Sequence, residues 1–252
     1  MKDKVVLLDF DGVYRTQDFY RDHYHQWIST DDLIGTNSYC DKCAQQCLKE
    51  KLKEILEPKL TFIGSGNYHY VSLFLTRKIE EDFTLILFDN HSDAQVPVFE
   101  ELLSCGGWIR TALLTEPHLK QIILVGINEH SISTIDRDIK DEIMTFPYGI
   151  ICENNDWDIS LAKEIKYPAY ISVDKDVFSK RHAVTNWDQG DMTMEDFLKG
   201  FEAIANTTKI IGMDVCGEYS MDYRMPNLFE EANLKNNRIN KELMELGNEV
   251  II

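Results

Sequence analysis

Three short segments of the sequence place acidic and imidazole side chains directly after apolar runs. GSGNYHY begins at Gly64, the last residue of LTFIG, while DNHSD follows FTLILF and DKD follows AYISV. In an extended chain alternate residues point to the same side, so the spacing within DNHSD and DKD presents these side chains together. The side chains concerned are His69, Asp89, His91, Asp93, Asp174 and Asp176.

The charge of this set of six predicts the chemistry that it serves. Four converging carboxylates repel one another strongly unless cations or protons compensate them. Two divalent cations would supply +4 against the −4 of the four aspartates. Carboxylate and imidazole ligands without thiolate suit Mn(II) best, with Fe(II), Co(II), Ni(II) and Zn(II) as alternatives. The sequence therefore predicts a centre of two divalent metal ions per chain, with Mn(II) preferred.

The elements that position these residues follow from the apolar runs. The runs are continuous rather than alternating, which is typical of strands buried on both faces. We predict strands over residues 5–10, 60–64, 83–88, 121–127, 169–173 and 209–215. We predict helices over residues 70–81 and 192–206, with Thr193 as the N-cap of the second.

The alternation of strands and helices predicts the fold class. It indicates an α/β fold with a mainly parallel sheet, and we expect residues 1–252 to form a single domain. Ligands of such sheets bind beyond the carboxyl ends of the strands. The six candidate ligands follow strand ends, so they are predicted to meet at one edge of the sheet.

Composition and net charge restrict the classes of molecule that the protein is expected to bind. The 252 residues carry a formal net charge of −17, which argues against nucleic acid or an anionic membrane, because phosphate binding needs clustered Lys and Arg. No apolar run approaches the roughly 18 residues of a membrane span, and MKDKVVLLDFDG lacks the cleavage site of a signal peptide. We expect a cytoplasmic protein that acts on a small, cationic molecule.

The six cysteines are expected to be free thiols in a reducing compartment. Three of them recur at helical spacing and are predicted to lie on the apolar face of one amphipathic helix. The predicted members of that face are Cys40, Cys43, Ala44, Cys47, Leu48, Leu52 and Ile55. A zinc or iron-sulfur site is the alternative, although three thiolates are one fewer than such sites usually have.

The same segments carry a family resemblance. In order and spacing, GNYH, DNHSD and SVDKDV resemble the three signature blocks of the arginase/agmatinase (ureohydrolase) superfamily, of which the chain looks like a divergent member. The resemblance covers roughly residues 60–220. It implies a three-layer α/β/α sandwich, a pair of Mn ions bridged by a hydroxide, and a homo-oligomer. Histone-deacetylase-like proteins share the fold with a single zinc, and the presence of both His69 and Asp93 favours the two-metal branch.

The resemblance also implies how the ligands divide between the two metals. The implied ligands of one metal are His69, Asp89, Asp93 and Asp176. The implied ligands of the other are His91, Asp89, Asp93, Asp174 and Asp176, with some carboxylates bridging.

Some positions depart from the family pattern. Cys105 stands where the family has a histidine that assists proton transfer, so it is either a proton donor or a small buried residue. Glu218 lies one position later than the glutamate that pairs with a guanidinium, and a bulge at Gly217 would still direct it to the pocket. Trp187 and Asp188 either shape that pocket or belong to a solvated loop.

The resemblance implies a metal-dependent hydrolase that acts on non-peptide C–N bonds. In that reaction a hydroxide between the metals attacks the carbon of a guanidino, amidine or amide group. Asp93 would pass the proton to the leaving amine, and Glu218 would hold the cationic group of the substrate.

Two other functions are weighed against this one. Asp9 and Asp11 in VVLLDFDGV match the Asp-x-Asp-Gly of haloacid-dehalogenase-like phosphatases, but candidates for the remaining residues of that class fit poorly, and DNHSD is left unexplained. The other alternative is an arginase-like protein that binds metals without catalysis.

Overall fold

The computed structural model describes residues 5–55, 59–97, 99, 101–220 and 225–251. Within these ranges the strands are β1 (Val5–Asp9), β2 (His25–Ser29), β3 (Tyr39–Cys40), β4 (Leu60–Ser65), β5 (Phe83–Phe88), β6 (Leu103–Ser104), β7 (Leu119–Val125), β8 (Ile143–Phe146), β9 (Ala169–Asp174) and β10 (Ile210–Glu218). The α-helices are α1 (Lys42–Leu52), α2 (Val71–Thr76), α3 (Trp108–Thr115), α4 (Glu129–Ser133), α5 (Tyr148–Glu153), α6 (Trp157–Glu164), α7 (Met194–Thr207) and α8 (Pro226–Val250).

Eight of the strands form one sheet in the order β2-β1-β4-β10-β9-β5-β7-β8. Every neighbouring pair in this sheet is parallel, and β3 and β6 form a separate antiparallel pair. Helices cover both faces of the large sheet. The predicted α/β class and the three-layer α/β/α arrangement are confirmed.

The buried strands explain the continuous apolar runs. Val6 and Leu8 of β1 belong to an apolar cluster that includes residues of α1, α2 and α3. Val5 and Leu7 belong to a second cluster that includes residues of α6, α7 and α8. Because alternate side chains enter opposite clusters, both faces of each central strand must be apolar.

All six predicted strands are present, as β1, β4, β5, β7, β9 and β10. The two strands at the edges of the sheet, β2 and β8, were not predicted. β2 reads HQWIS, and of its residues only Ile28 is buried. An edge strand pairs on one side only and need not be apolar on both faces, so no apolar run marks it.

The predicted helices differ in how well they match. Thr193 caps α7 as predicted, and the amide of Asp196 donates to its hydroxyl at 3.1 Å in a capping box. By contrast, α2 ends at Thr76 rather than at residue 81, because residues 77–82 carry the chain to the start of β5. Among the described residues, no helix combines the length and apolar composition that crossing a membrane requires.

The predicted cysteine face of α1 is wrong. Cys40 lies on β3, before the N-cap Asp41, and is buried, whereas Cys43 and Cys47 are exposed. The buried residues of the helix are Ala44, Leu48 and Leu52, and Ile55 is buried beyond its end. The buried residues recur at every fourth position and form a narrow stripe, and Cys43 and Cys47, each about 100° from it, face solvent.

Candidate metal centre

The carboxyl ends of the four central strands, β4, β10, β9 and β5, meet at one edge of the sheet. A short 3-10 turn after β4 ends at His69, and β9 ends at Asp174. Gly66 in that turn lies so close to the end of β9 that a Cβ atom on it would be 2.8 Å from Asp174 Oδ2. The glycine therefore permits the approach of two segments that carry candidate ligands.

His69 is buried, and its Nδ1 atom faces three carboxylates. Nδ1 lies 2.8 Å from Asp93 Oδ2, 3.3 Å from Asp89 Oδ2 and 3.5 Å from Asp174 Oδ2. These distances bring the segments after β4, β5 and β9 into one cluster.

The second ring nitrogen of His69, Nε2, is hydrogen-bonded on the side away from the carboxylates. Nε2 lies 3.0 Å from Ser172 Oγ, and the hydroxyl of Ser172 donates to Asp214 Oδ1 at 2.7 Å. The phenol of Tyr170 donates to the second oxygen of Asp214 at 2.8 Å. Because the Ser172 proton is directed to Asp214, the Ser172 oxygen accepts Nε2–H, and Nδ1 is left as the ligand atom.

His91 repeats this arrangement on the other side of the cluster. Its Nδ1 atom lies 2.9 Å from Asp176 Oδ2 and 3.4 Å from Asp89 Oδ1. Its Nε2 atom lies 3.1 Å from Asp188 Oδ1, an exposed carboxylate. Histidines that bind metals usually donate the proton of the second nitrogen to such a partner.

Asp89 joins the two halves, because its two oxygens face different histidines. The division between the halves differs from the one expected. Asp174 rather than Asp176 lies beside His69, and Asp176 pairs with His91. All six candidate ligands nevertheless lie in one continuous cluster.

Asp93 is held in an unusual backbone conformation. Its φ angle is 46°, in the left-handed region that few residues other than glycine adopt. The indole N–H of buried Trp108 donates to its Oδ2 atom at 2.8 Å, the same atom that faces His69. Trp108 begins α3, so a helix fixes this carboxylate.

Burial and charge act together on the ionisation of the cluster. Burial, followed by the charge of Asp89, raises the pKa of Asp176 to about 7. Burial, followed by the charge of Asp176, raises the pKa of Asp174. Burial lowers the pKa of His91, but the carboxylates of Asp176 and Asp89 outweigh it and the net shift is upward.

This environment fits divalent cations. Two protonated imidazoles would offset only half of the charge of the four carboxylates around them. The groups of close ligand atoms are His69 with Asp89 and Asp93, Asp89 with His91 and Asp176, and His69 with Asp174 and Cys216. Such oxygen and nitrogen donors suit divalent first-row metals.

A cavity of about 130 Å³ opens onto the cluster. Cys105 and Trp187 are among its lining residues, together with Tyr39 and Gln95. Burial, followed by the charge of Asp93, raises the pKa of Cys105 to about 12, so the thiol is protonated near neutral pH. The indole N–H of Trp187 donates to Asn67 Oδ1 at 2.9 Å, which places the ring at the wall.

Glu218 pairs with a buried lysine and does not line the cavity. Its carboxylate forms a fully buried ion pair with Lys175, accepts from Gln17 Nε2 at 2.9 Å, and accepts from Asn240 Nδ2 at 2.6 Å. It is not among the lining residues of the cavity. The expected pairing with a cationic substrate group therefore has no geometric support, because the carboxylate already has an internal cation.

Asp9 and Asp11 serve the turn after β1. The Asp9 carboxylate accepts from Gly12 N and from Arg15 Nε, both at 2.8 Å, and Asp11 accepts from Ser220 Oγ at 3.0 Å. The Asp9 carboxylate is fully buried and paired with Arg15, so it is not open to a phosphate group. These contacts favour a structural role over the phosphatase hypothesis.

Several residues at the centre were not found from the sequence. Ser172 could have been, because it lies two positions before Asp174 and alternate residues share a face. Asp214 and Cys216 carry the same period-two signal on β10. Trp108 has no local signal, since only the folded chain brings α3 to Asp93.

Comparison with known proteins agrees with this geometry. The arginase family matches residues 12–226. An uncharacterised protein of Thermotoga maritima is 33% identical over 219 residues, which is 85% of this chain and 79% of that protein. The chain belongs to the arginase family.

Solved structures share the fold. Proclavaminate amidino hydrolase from Streptomyces clavuligerus superposes with a TM-score of 0.72 and 15% identity, covering 99% of this chain and 93% of that one. Formiminoglutamase from Trypanosoma cruzi, determined with Mn²⁺, superposes with a TM-score of 0.61 and 13% identity over 93% of each chain. Membership in the arginase family favours the metal-centre hypothesis over the phosphatase hypothesis.

Proposed function

We propose that the protein is a hydrolase that binds two divalent metal ions, preferably Mn(II), and cleaves a C–N bond of a small guanidino, amidine or amide compound. The observation that carries this proposal is the placement of Asp89 between two histidines, with one oxygen toward each. Family membership and the Mn²⁺ of the Trypanosoma cruzi enzyme support it.

The ligands proposed for the two ions follow the two halves of the cluster. His69, Asp93 and Asp174 would hold one ion, His91 and Asp176 the other, and Asp89 both. Bound divalent cations lower the pKa of water, so that hydroxide is available near neutral pH.

The chain's own residues orient the centre and handle the proton. Asp93, fixed by Trp108, lines the cavity and would accept a proton from the attacking water and deliver it to the leaving amine. Bound metal ions would neutralise Asp93, Asp174 and Asp176 in the cavity wall, so the preference for a cationic substrate rests on the net charge of −17. Cys105 contributes a neutral thiol to the same wall.

A substrate screen tests the reaction. We expect release of urea or ammonia from at least one guanidino, amidine or amide compound by the Mn-loaded protein, and none after chelation. The control is the same chelated protein after Mn is restored, which should regain turnover. A protein that holds two ions per chain and hydrolyses no such compound would instead be the non-catalytic metal-binding protein.

Metal removal should also lower stability. Each ion present at about 100 times its Kd stabilises the folded state by about 2.7 kcal/mol, so chelation of two ions should lower Tm by about 11–22 °C. Thermal unfolding followed by circular dichroism, with Mn and with chelator, measures this shift. The His91→Ala variant should show a smaller difference between the two conditions. An unchanged Tm for the unsubstituted protein would contradict metal binding by the cluster.

A further inference from the structure

We propose that Cys216 is a thiolate ligand of the metal position beside His69, which gives that position nitrogen, oxygen and sulfur donors and selects Zn(II) over Mn(II) there. The inference rests on the proposed metal centre but is independent of the hydrolytic reaction. It refines the choice of metal at one of the two positions.

The first argument is the convergence of three kinds of donor. Ligand atoms of His69, Asp174 and Cys216 all lie within 4.8 Å of one another, and the three side chains are buried. Cys216 Sγ lies 3.1 Å from Asp174 Oδ2, the oxygen that also faces His69 Nδ1. The sulfur is therefore directed at the cluster rather than only into the apolar core.

The second argument is the backbone that delivers the thiol. The register of β10 against β4 shifts on both sides of Cys216. Gly217 follows with a φ of 90°, and a Cβ atom on it would lie 2.5 Å from Asp174 Oδ1. The irregular strand end thus brings the main chain against Asp174, and no side chain at residue 217 could fill the gap between them.

The third argument is donor chemistry. Cys216 would add sulfur to the nitrogen and oxygen donors of His69, Asp89, Asp93 and Asp174 at this position, and a thiolate favours zinc or iron over manganese. The position beside His91 has Asp89 and Asp176 and, among the described residues, no sulfur within its group of close ligand atoms. The two positions would therefore prefer different metals. Binding releases the thiol proton to solvent as the sulfur–metal bond forms.

Cobalt(II) is the probe for this ligand. The full-length protein loaded with Co(II) should show a near-ultraviolet thiolate-to-cobalt charge-transfer band. Cys216→Ser should lose the band while still binding cobalt through the remaining ligands. Cys105→Ser, which removes another buried thiol beside the same centre, should keep it. Absence of the band in the loaded unsubstituted protein, or its persistence in Cys216→Ser, would overturn the proposal.

Metal-binding selectivity and X-ray absorption give two further tests of the sulfur ligand. Loss of an outer-shell partner lowers metal affinity by roughly 10–100-fold, so loss of the sulfur should lower Zn(II) affinity at least about tenfold while Mn(II) affinity changes less. X-ray absorption of the zinc-loaded, unsubstituted protein should show sulfur at about 2.3 Å, and this needs no variant to fold. A spectrum that shows only nitrogen and oxygen neighbours around zinc would refute the proposed thiolate ligand. A sulfur signal without any hydrolysis would refute only the proposed reaction.

Discussion

Asp93→Asn is expected to remove metal from the position beside His69 and to lower hydrolysis by at least about 10³-fold. The loss of one charged ligand and of the proposed proton acceptor together removes several kcal/mol of transition-state stabilisation. His91→Ala should have a comparable effect through the other position. Elemental analysis of the purified variants, beside steady-state rates, measures both quantities.

The control for this experiment is an aspartate outside the centre. Asp82 is half-exposed and pairs with His118 at the surface, so Asp82→Asn should retain about two metal ions per chain and full turnover. An Asp93→Asn and His91→Ala double variant that stays loaded and active would show that the six-residue cluster is not the site.

Lys175→Met is expected to destabilise the fold by about 3–5 kcal/mol, because it leaves the carboxylate of Glu218 buried without its cation. For a chain of this size the loss corresponds to a fall in Tm of roughly 6–20 °C. Thermal or denaturant unfolding in the presence of chelator measures it. The chelator matters because Lys175 lies between two candidate ligands, and any loss of metal must not be counted as loss of the ion pair.

The matched control is a double variant that removes both charges of the Lys175–Glu218 ion pair. Lys175→Met combined with Glu218→Gln leaves a neutral side chain that Gln17 and Asn240 still contact. This double variant should recover at least half of the lost stability. A cost below about 1 kcal/mol for Lys175→Met alone would show that Glu218 does not depend on Lys175, and its expected role toward a cationic substrate would return.

The central part of the fold was predictable because strands that are buried on both faces appear in the sequence as continuous apolar runs. Strands β4, β5 and β9 are buried at every position and mostly apolar, and the residues that follow them stand at the candidate ligand-binding edge. The edge strand β2 is half-exposed and has no such apolar run. α2 was overextended because a helical pattern continues past the point where the chain has to turn toward β5.

The convergence of the six candidate ligands was predictable for a related reason, whereas the arrangement within the cluster was not. Period-two spacing after buried strands identifies Asp89, His91 and Asp93 without any knowledge of their neighbours. Which histidine Asp174 faces depends on how closely the turn at Gly66 approaches β9, a distance that spacing does not encode. Glu218 illustrates the same limit, since its partner Lys175 lies on a different strand end.

The two halves of the centre lie at different depths. The side chain of His69 is 1% exposed, behind the wall of Ser172, Asp214 and Tyr170, whereas that of His91 is 21% exposed. The ion proposed beside His69 would therefore be the more shielded of the two, and we expect it to exchange with solvent more slowly than the ion proposed beside His91. We expect loading to be ordered, so that a species carrying a single ion beside His69 precedes the filled protein.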